Sequence, residues 1–326
     1  MDLPLVTVVV PVWNEAAFIG PCLDSVVAND YPKDRLEVLV VDGGSTDGTR
    51  AVLEDYARRY PFIRLLDNPG RIPAAALNAG LRQARGDVIV RMDAHTVYAP
   101  DYIRKCVELL QTTEAANVGG VQRAVGRGYV AGAIAVALTS PFGVGDARFR
   151  YADRLTWADT VYLGAWRRAT LEALGGFDEA WAVNEDYELN YRLRRAGGRV
   201  LVSPDVRCWY HVRSSLGALA RQYVRYGFWR ARTAVVHPGS LRWRHLVPPA
   251  LVLGLVGSAG LGAAGSRWGL VVPILYVVAN VGASLGTALR RGLRYLPLLP
   301  VVYAVLHLSW GAGFLAGLVR WGFRRT

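Results

Sequence analysis

Four short runs of β-branched and aliphatic residues, the first closed by a proline and the other three by an aspartate, alternate with helix-forming stretches over the first hundred positions of this chain. They are Leu5–Val10, Leu36–Val41, Phe62–Leu66 and Asp87–Met92. Runs this short and this apolar read as strands buried on both faces of a parallel sheet. Between them, Phe18, Cys22 and Val26 recur every four residues in a helix that Asn14 is placed to cap. Ser45, Thr46 and Asp47 offer caps for a second helix near Thr49–Tyr60, and Ala74–Ala84 forms a third. The alternation predicts an α/β, Rossmann-like, mainly parallel sheet with helices on both faces. Ligands of such sheets bind at the carboxyl ends of the strands. Pro11–Glu15, Asp42, Asp67–Arg71 and Asp93 all stand at those ends, so polar groups distant in sequence are expected on one edge.

Beyond Asp101 the alternation loosens. Helices are expected at Ile103–Leu110, Trp166–Leu174, Asp186–Ala196 and Leu216–Thr233, with a strand at Val118–Gln122. Gly175-Gly176 and Gly197-Gly198 supply helix stops. Tyr129–Leu138 is apolar but too short to span a bilayer, and reads either as a buried helix or as one lying in a membrane interface. Three tail segments, about 246–265, 268–289 and 295–319, approach the roughly 20 residues that a bilayer requires. The expected division is therefore a catalytic domain over 1–235, with a basic interfacial region at 213–240, and a membrane anchor over 241–326.

Basic residues before 246 place the first domain on the cytosolic side of a bacterial inner membrane, and Arg290, Arg291 and Arg294 suit the same side. Three crossings would then leave Arg320, Arg324 and Arg325 outside, against that rule, so one segment is open to a re-entrant or interfacial reading. The formal net charge of +12 fits an anionic lipid surface or a phosphorylated substrate. It does not mark a nucleic-acid binder, since no finger, aromatic RNA-binding signature or heptad accompanies it. Cys22, Cys106 and Cys208 are odd in number and far apart, which suggests neither a zinc site nor a disulfide framework. A reducing compartment fits them. The opening MDLPLVTVVVPVW lacks a basic flank and reads as a first strand rather than a secretion signal.

Three acidic marks carry the chemistry. Asp42, in VVDGGSTDGT, can accept hydrogen bonds from a base or ribose, although an Asp before Gly-Gly is also a common turn former. Asp93 precedes His95 by two, and on extended chain both side chains would point one way and could share a divalent metal against a diphosphate. The plainer alternative is a turn Asp and a His satisfied by backbone. Glu185 and Asp186 open a helix, where acids ordinarily favour the dipole. As chemistry, Asp186 would be a general base, with Glu185 holding it or positioning an acceptor. Arg221 and Arg225 share a helical face and could grip phosphate or lipid headgroups.

Taken in order over residues 5–235, PVWNE, VVDGGSTDGT, RMDAH, GGFDE and NED resemble the family-two inverting glycosyltransferases of the GT-A fold. The tail LLPVVYAVLHLSWGAGFLAGLVRWG is similar to the membrane-anchored enzymes of succinoglycan-type exopolysaccharide assembly. The resemblance implies a nucleotide-diphosphate sugar donor, with glucose from UDP-glucose as the expected hexose. It implies a pocket of Pro11, Asn14, Glu15 and Asp42 for base and ribose, with Arg71 also on the donor. Asp93 matches the first Asp of the family's Asp-x-Asp metal motif for Mg²⁺ or Mn²⁺, and His95 replaces the second. Asp186 matches the catalytic base. Arg221-x-x-x-Arg225-Tyr226 stands where processive relatives carry Gln-x-x-Arg-Trp and departs from that pattern, so polymer synthesis is not expected. The implied acceptor is a sugar hydroxyl on polyprenyl diphosphate at a membrane lipid surface. Two other readings compete: direct transfer to polyprenyl phosphate, and a non-catalytic membrane scaffold with a decayed nucleotide site.

Overall fold

The computed structural model describes residues 3–322. The chain forms two compact units, Met1–Arg123 with Arg148–Tyr210, and Ala124–Ala147 with His211–Thr326. In chain order the elements begin β1 Val6–Val12, α1 Ile19–Val27, β2 Leu36–Asp42, α2 Thr49–Arg59, β3 Ile63–Asp67, α3 Pro73–Gln83 and β4 Val88–Arg91. Then come β5 Thr96–Tyr98, α4 Tyr102–Thr112, β6 Ala115–Val125, α5 Tyr129–Leu138, α6 Pro141–Val144, β7 Thr156–Ala158 and β8 Tyr162–Arg167. The last are α7 Arg168–Ala173, α8 Glu185–Arg195, β9 Arg199–His211, α9 Leu216–Val236, α10 Trp243–Ala263, α11 Val271–Arg291 and α12 Leu299–Gly322.

In the first unit the sheet runs β3-β2-β1-β4-β8-β6-β9-β5, with β7 also on β9. The four strands read from the sequence form its parallel half. Strand period sorts the side chains to two faces. Val6, Val8, Val10 and Val12 pack with Ile19, Cys22, Leu53 and Cys106, whereas Val9, Val41 and Ile89 pack with Ala76, Leu77, Leu189 and Leu193. Order reverses at β1, where β2 leads one way and β4 the other. Pro11 sits there with a purpose that its chemistry explains. Pairing of β1 with β4 ends at Val9↔Arg91, so the N–H that Pro11 lacks would have faced a strand that has stopped. The carboxyl edge is therefore open between β1 and β4, at a topological switch point.

Several local expectations are corrected. Asn14 does not cap α1: the first turn begins at Phe18 without a side-chain cap, and Asn14 faces the next loop instead. Trp166 and Arg167 belong to β8, and the helix after them is only Arg168–Ala173. Trp166 is fully buried between β8 and Phe177, a packing demand that outweighs helix propensity. The antiparallel strands β5, β7 and β9 were not anticipated. The thirteen-residue β9 alternates buried and exposed positions only in part, and Pro204 interrupts its pattern.

The second unit joins α5 and α6 to α9–α12. The helices α9 and α12 lie against each other through small residues. A Cβ on Gly313 would run into the Val224 carbonyl, one on Gly317 into the Phe228 carbonyl, and one on Gly227 into the Trp310 carbonyl. The short helix α5 is buried in this unit's core through Ala133, Ile134, Ala137 and Leu138, as the plainer of its two sequence readings has it. Among the described residues three helices are long and apolar enough to cross a membrane: Trp243–Ala263, Arg267–Arg291 and Leu299–Gly322.

Candidate functional site

At the carboxyl edge the loop after β1 is laced to the loop after β2. Asn14 N–H donates to Ser45 Oγ at 2.9 Å, and Thr46 N–H donates to Asn14 Oδ1 at 2.8 Å. Glu15 N–H donates to Thr49 Oγ1 at 2.8 Å, and Ala16 N–H to Asp47 at 3.1 Å. Asn14 holds this position at φ 53°, a backbone state that Asn tolerates better than most residues. Asp42 lies beneath, 1% exposed. Its Oδ1 accepts from the Ser45 hydroxyl at 2.6 Å and the Ser45 N–H at 3.1 Å, while Arg50 approaches Oδ2 at 3.4 Å. Trp13, 55% exposed, closes over Gly43, where an added Cβ would meet its side chain at 3.2 Å. Arg71 presents its guanidinium over Gly44, about where a Cβ would lie at 3.8 Å from Nη2. Pro11, Asn14, Glu15, Asp42 and Arg71 thus gather at one mouth.

Next to it stands a charged node built on Arg91, the last residue of β4. Arg91 Nε donates to Asp93 Oδ1 at 2.9 Å, and Arg91 Nη1 donates to Glu185 Oε1 at 2.9 Å. One planar fork therefore ties the strand-end aspartate to the first residue of α8. Arg91 is 7% exposed and Glu185 5%, so each depends on the other for compensation. Burial works against the charge of Arg91, but Asp93, Glu185 and Asp186 outweigh it and hold the guanidinium protonated. Asp93 is further clamped by Tyr98, whose hydroxyl accepts from Asp93 N–H at 2.6 Å.

Asp93 and His95 do not lie on extended chain. Thr96 N–H donates to the Asp93 carbonyl at 3.1 Å and closes a turn, so the alternation of an extended strand does not apply to them. His95 Nδ1 instead meets Glu15 Oε1 at 3.4 Å, bridging to the loop after β1. Among the described residues no three His, Cys, Asp or Glu side chains converge to hold an ion by themselves.

Asp186 follows Glu185 at the N-terminus of α8, after Asn184 at φ 65°. It is half-buried, and its Oδ1 accepts from Tyr187 N–H at 2.7 Å. Burial pushes its carboxyl above the usual range, against the pull of Arg91. Burial also raises Glu185, with Arg91 opposing and Asp186 reinforcing. Of the two acids, Glu185 is locked and Asp186 retains access. The third first-turn acid, Glu188, is buried in a forked pair with Arg192 and serves the helix. Arg221 and Arg225 lie on the exposed face of α9, in the second unit.

Arg91, Trp13, Arg50 and Tyr98 were not picked out from the sequence. Arg91 did leave a signal: a charge inside an apolar strand is rarely buried unless it is paired.

The glycosyl transferase family 2 model matches residues 7–153, and the model for glycosyl transferase family group 2 matches 88–323. A succinoglycan biosynthesis protein, ExoA, of Rhizobium meliloti is 34% identical over 323 residues, covering 98% of this chain and 96% of its own. A dolichyl N-acetyl-α-D-glucosaminyl phosphate 3-β-D-2,3-diacetamido-2,3-dideoxy-β-D-glucuronosyltransferase of Methanococcus voltae is 24% identical, with 97% of each chain covered. Among solved structures, a mannosyltransferase of Pyrobaculum calidifontis in complex with GDP-Man and Mn²⁺ superposes with a TM-score of 0.67 at 27% identity, covering 100% of this chain and 89% of that one. With its GT-A sheet, acid-rich carboxyl edge and apolar tail, this chain belongs to glycosyltransferase family 2, and it is a glycosyltransferase.

Proposed function

We propose that this glycosyltransferase moves a hexose from a nucleotide-diphosphate sugar to a hydroxyl of a polyprenyl-diphosphate-linked saccharide, with inversion, in the synthesis of an exopolysaccharide or cell-surface glycan. One observation carries the reading: Asp186 is a partly buried carboxylate whose proton affinity that burial raises, beside the Arg91–Glu185 pair at the open edge of the sheet. That is what a general base requires. The Methanococcus relative is named for a dolichyl-linked sugar and the Rhizobium relative for succinoglycan biosynthesis, and both names support a lipid-linked acceptor in glycan assembly. UDP-glucose is the donor to test first.

The mouth formed by Asn14, Asp42 and Arg71 would take base and ribose, with the Trp13 ring available to stack. Asp42 Oδ2 has capacity left, because Arg50 reaches it only at 3.4 Å. In the reaction, Asp186 removes the proton from the acceptor hydroxyl, that oxygen bonds to the anomeric carbon, and the bond to the diphosphate breaks on the opposite side. Glu185 is not assigned as the base, since Arg91 holds it.

A divalent cation fits a sparse donor set of this kind. Asp93 Oδ2 is engaged only distantly by Arg91, at 3.5 Å, and His95 stands nearby. A carboxylate with an imidazole suits Mn²⁺ better than Mg²⁺. Such an ion would arrive with the donor, because one or two protein ligands leave most of its coordination to phosphates and water. Bound there, it would neutralise charge on the leaving diphosphate.

The test is Asp186→Asn in membranes incubated with labelled nucleotide sugars and a lipid-linked acceptor. Transfer should fall by about 10²–10⁴ while donor binding persists. Unchanged turnover refutes the base assignment and points to direct transfer onto polyprenyl phosphate, whose anionic oxygen needs no base. The glycolipid would then be labile to mild acid.

A further inference from the structure

We propose that α12 does not cross the membrane. It lies in the headgroup interface alongside α9, and α10 with α11 form the only transmembrane hairpin among the described residues. The partner surface is an anionic lipid leaflet.

The pairing of α9 with α12 is the first ground. Val224 meets Gly313, Phe228 meets Gly317, and Arg232 stacks on Trp321, so the two helices run parallel in fixed register over several turns. Whatever depth α12 reaches, α9 reaches too. Yet α9 carries Arg221, Arg225, Arg230 and Arg232, and the first two are exposed. A helix with that many cations is a poor occupant of hydrocarbon, and a good one of a surface with anionic headgroups. The aromatic cluster of Phe228, Trp229 and Trp321, with Arg232 beside it, has the composition of an interfacial belt.

The second ground is what else α12 touches. His307, in its first half, bonds to the carbonyl of Phe142 at 2.8 Å. Phe142 belongs to the short α6, which leads to Asp146, paired with Arg244 at 2.7 Å and Arg242 at 3.5 Å. Irregular, charged chain of this sort does not sit against lipid tails. Gly311, at the middle of α12, meets α10 at Pro248 and Val252, in the first half of that helix. Meanwhile α10 and α11 leave large apolar residues exposed along their length, including Leu253, Val256, Ile274, Val278 and Leu289, while α12 is much more enclosed.

The third ground is charge. With two crossings, Arg242 and Arg244 at the start of α10, Arg290 and Arg291 at the end of α11 with Arg294 just beyond it, and Arg320 near the end of α12 share one side. Arg267 alone lies in the turn on the other side. Every boundary then obeys the positive-inside preference, which three crossings would break at Arg320.

The exposed face of α12 carries Val301, Ala312 and Val319, within about 20° of one another around the axis and spanning roughly 27 Å along it. Nitroxide labels at these positions in the full chain, reconstituted in vesicles containing phosphatidylglycerol, should report one shared shallow depth by oxygen and nickel-chelate collision. A calibrating series on α10, at Leu246, Leu253 and Leu261, should be deep at Leu253 and shallow at its ends. A deep reading at Ala312 between shallow ends overturns the proposal. Reporter fusions give an independent reading without substitutions in any helix. A fusion after Gly265 should be active as alkaline phosphatase, and one after Thr326 should fluoresce as a cytoplasmic green fluorescent protein. Phosphatase activity after Thr326 overturns the proposal as well, and neither result depends on what the enzyme transfers.

Discussion

Removing Arg91 should expose how far the site depends on one guanidinium. Its fork holds Asp93 and Glu185 at 2.9 Å each, and both Arg91 and Glu185 are almost wholly buried. At an effective dielectric near 20 and a charge separation near 4 Å, one such attraction is worth about 4 kcal/mol. Asp93 is more exposed, so its share is reduced by solvent. Arg91→Met leaves Glu185 as an uncompensated buried charge, and a loss of about 3–5 kcal/mol is expected. For a unit of this size that lowers the melting temperature of the detergent-purified full chain by roughly 6–20 °C. Adding Glu185→Gln removes the stranded charge, so the double variant should be more stable than Arg91→Met alone, with a coupling of about 1–3 kcal/mol. Acidification supplies a second readout. The Glu185 carboxyl is raised in the folded protein, so its protonated form favours folding; that contribution is full below the ordinary carboxylate pKa and is lost as pH rises through the raised one. Without Arg91 the raising is stronger, and the deficit of Arg91→Met should shrink between pH 7 and pH 5. If the double variant merely adds the two single losses, and the deficit is flat with pH, the node does not work through charge compensation.

Three further outcomes follow from the same geometry. The acid limb of kcat/KM should lie above the range of an ordinary aspartate, because Asp186 must be ionised to act and burial raises its proton affinity; rate profiles from pH 4 to 8 check this, and a limb at the ordinary value removes Asp186 from the base role. Chelation should abolish transfer, with Mn²⁺ restoring it better than Mg²⁺, and His95→Asp should move the preference toward Mg²⁺ by trading imidazole for carboxylate. Gly317→Leu drives a side chain into the Phe228 carbonyl and Ala231, and the overpacking should cost about 1–3 kcal/mol, seen as a lower melting temperature and faster proteolysis within α9–α12.

The parallel half of the sheet was legible because its signal is local. Each of Val6–Val12, Leu36–Asp42, Ile63–Asp67 and Val88–Arg91 is a compact apolar run whose period and closing residue can be read without knowing its neighbours. Of the antiparallel half only the middle of β6, at Val118–Gln122, was legible, since β5 and β7 are three residues each and β9 owes its existence to partners far along the chain. Trp166 shows the same thing in one residue: helical propensity lost to a slot beside Phe177 that only the tertiary fold provides. The acids were found because carboxylates at strand ends and helix starts are conspicuous. What assembles them was missed, because Arg91 looked like an ordinary strand residue and its partner is 94 positions away. Yet the strand around it, VIVR, is buried at every position, and a cation there demands a counter-charge at close range. Asp93, two residues on, supplies that charge, and it leaves the other N–H donors of the fork in need of an acceptor. A buried guanidinium in an apolar strand thus calls for more acceptors than one neighbour offers, and here the second stands immediately before the residue assigned as the base.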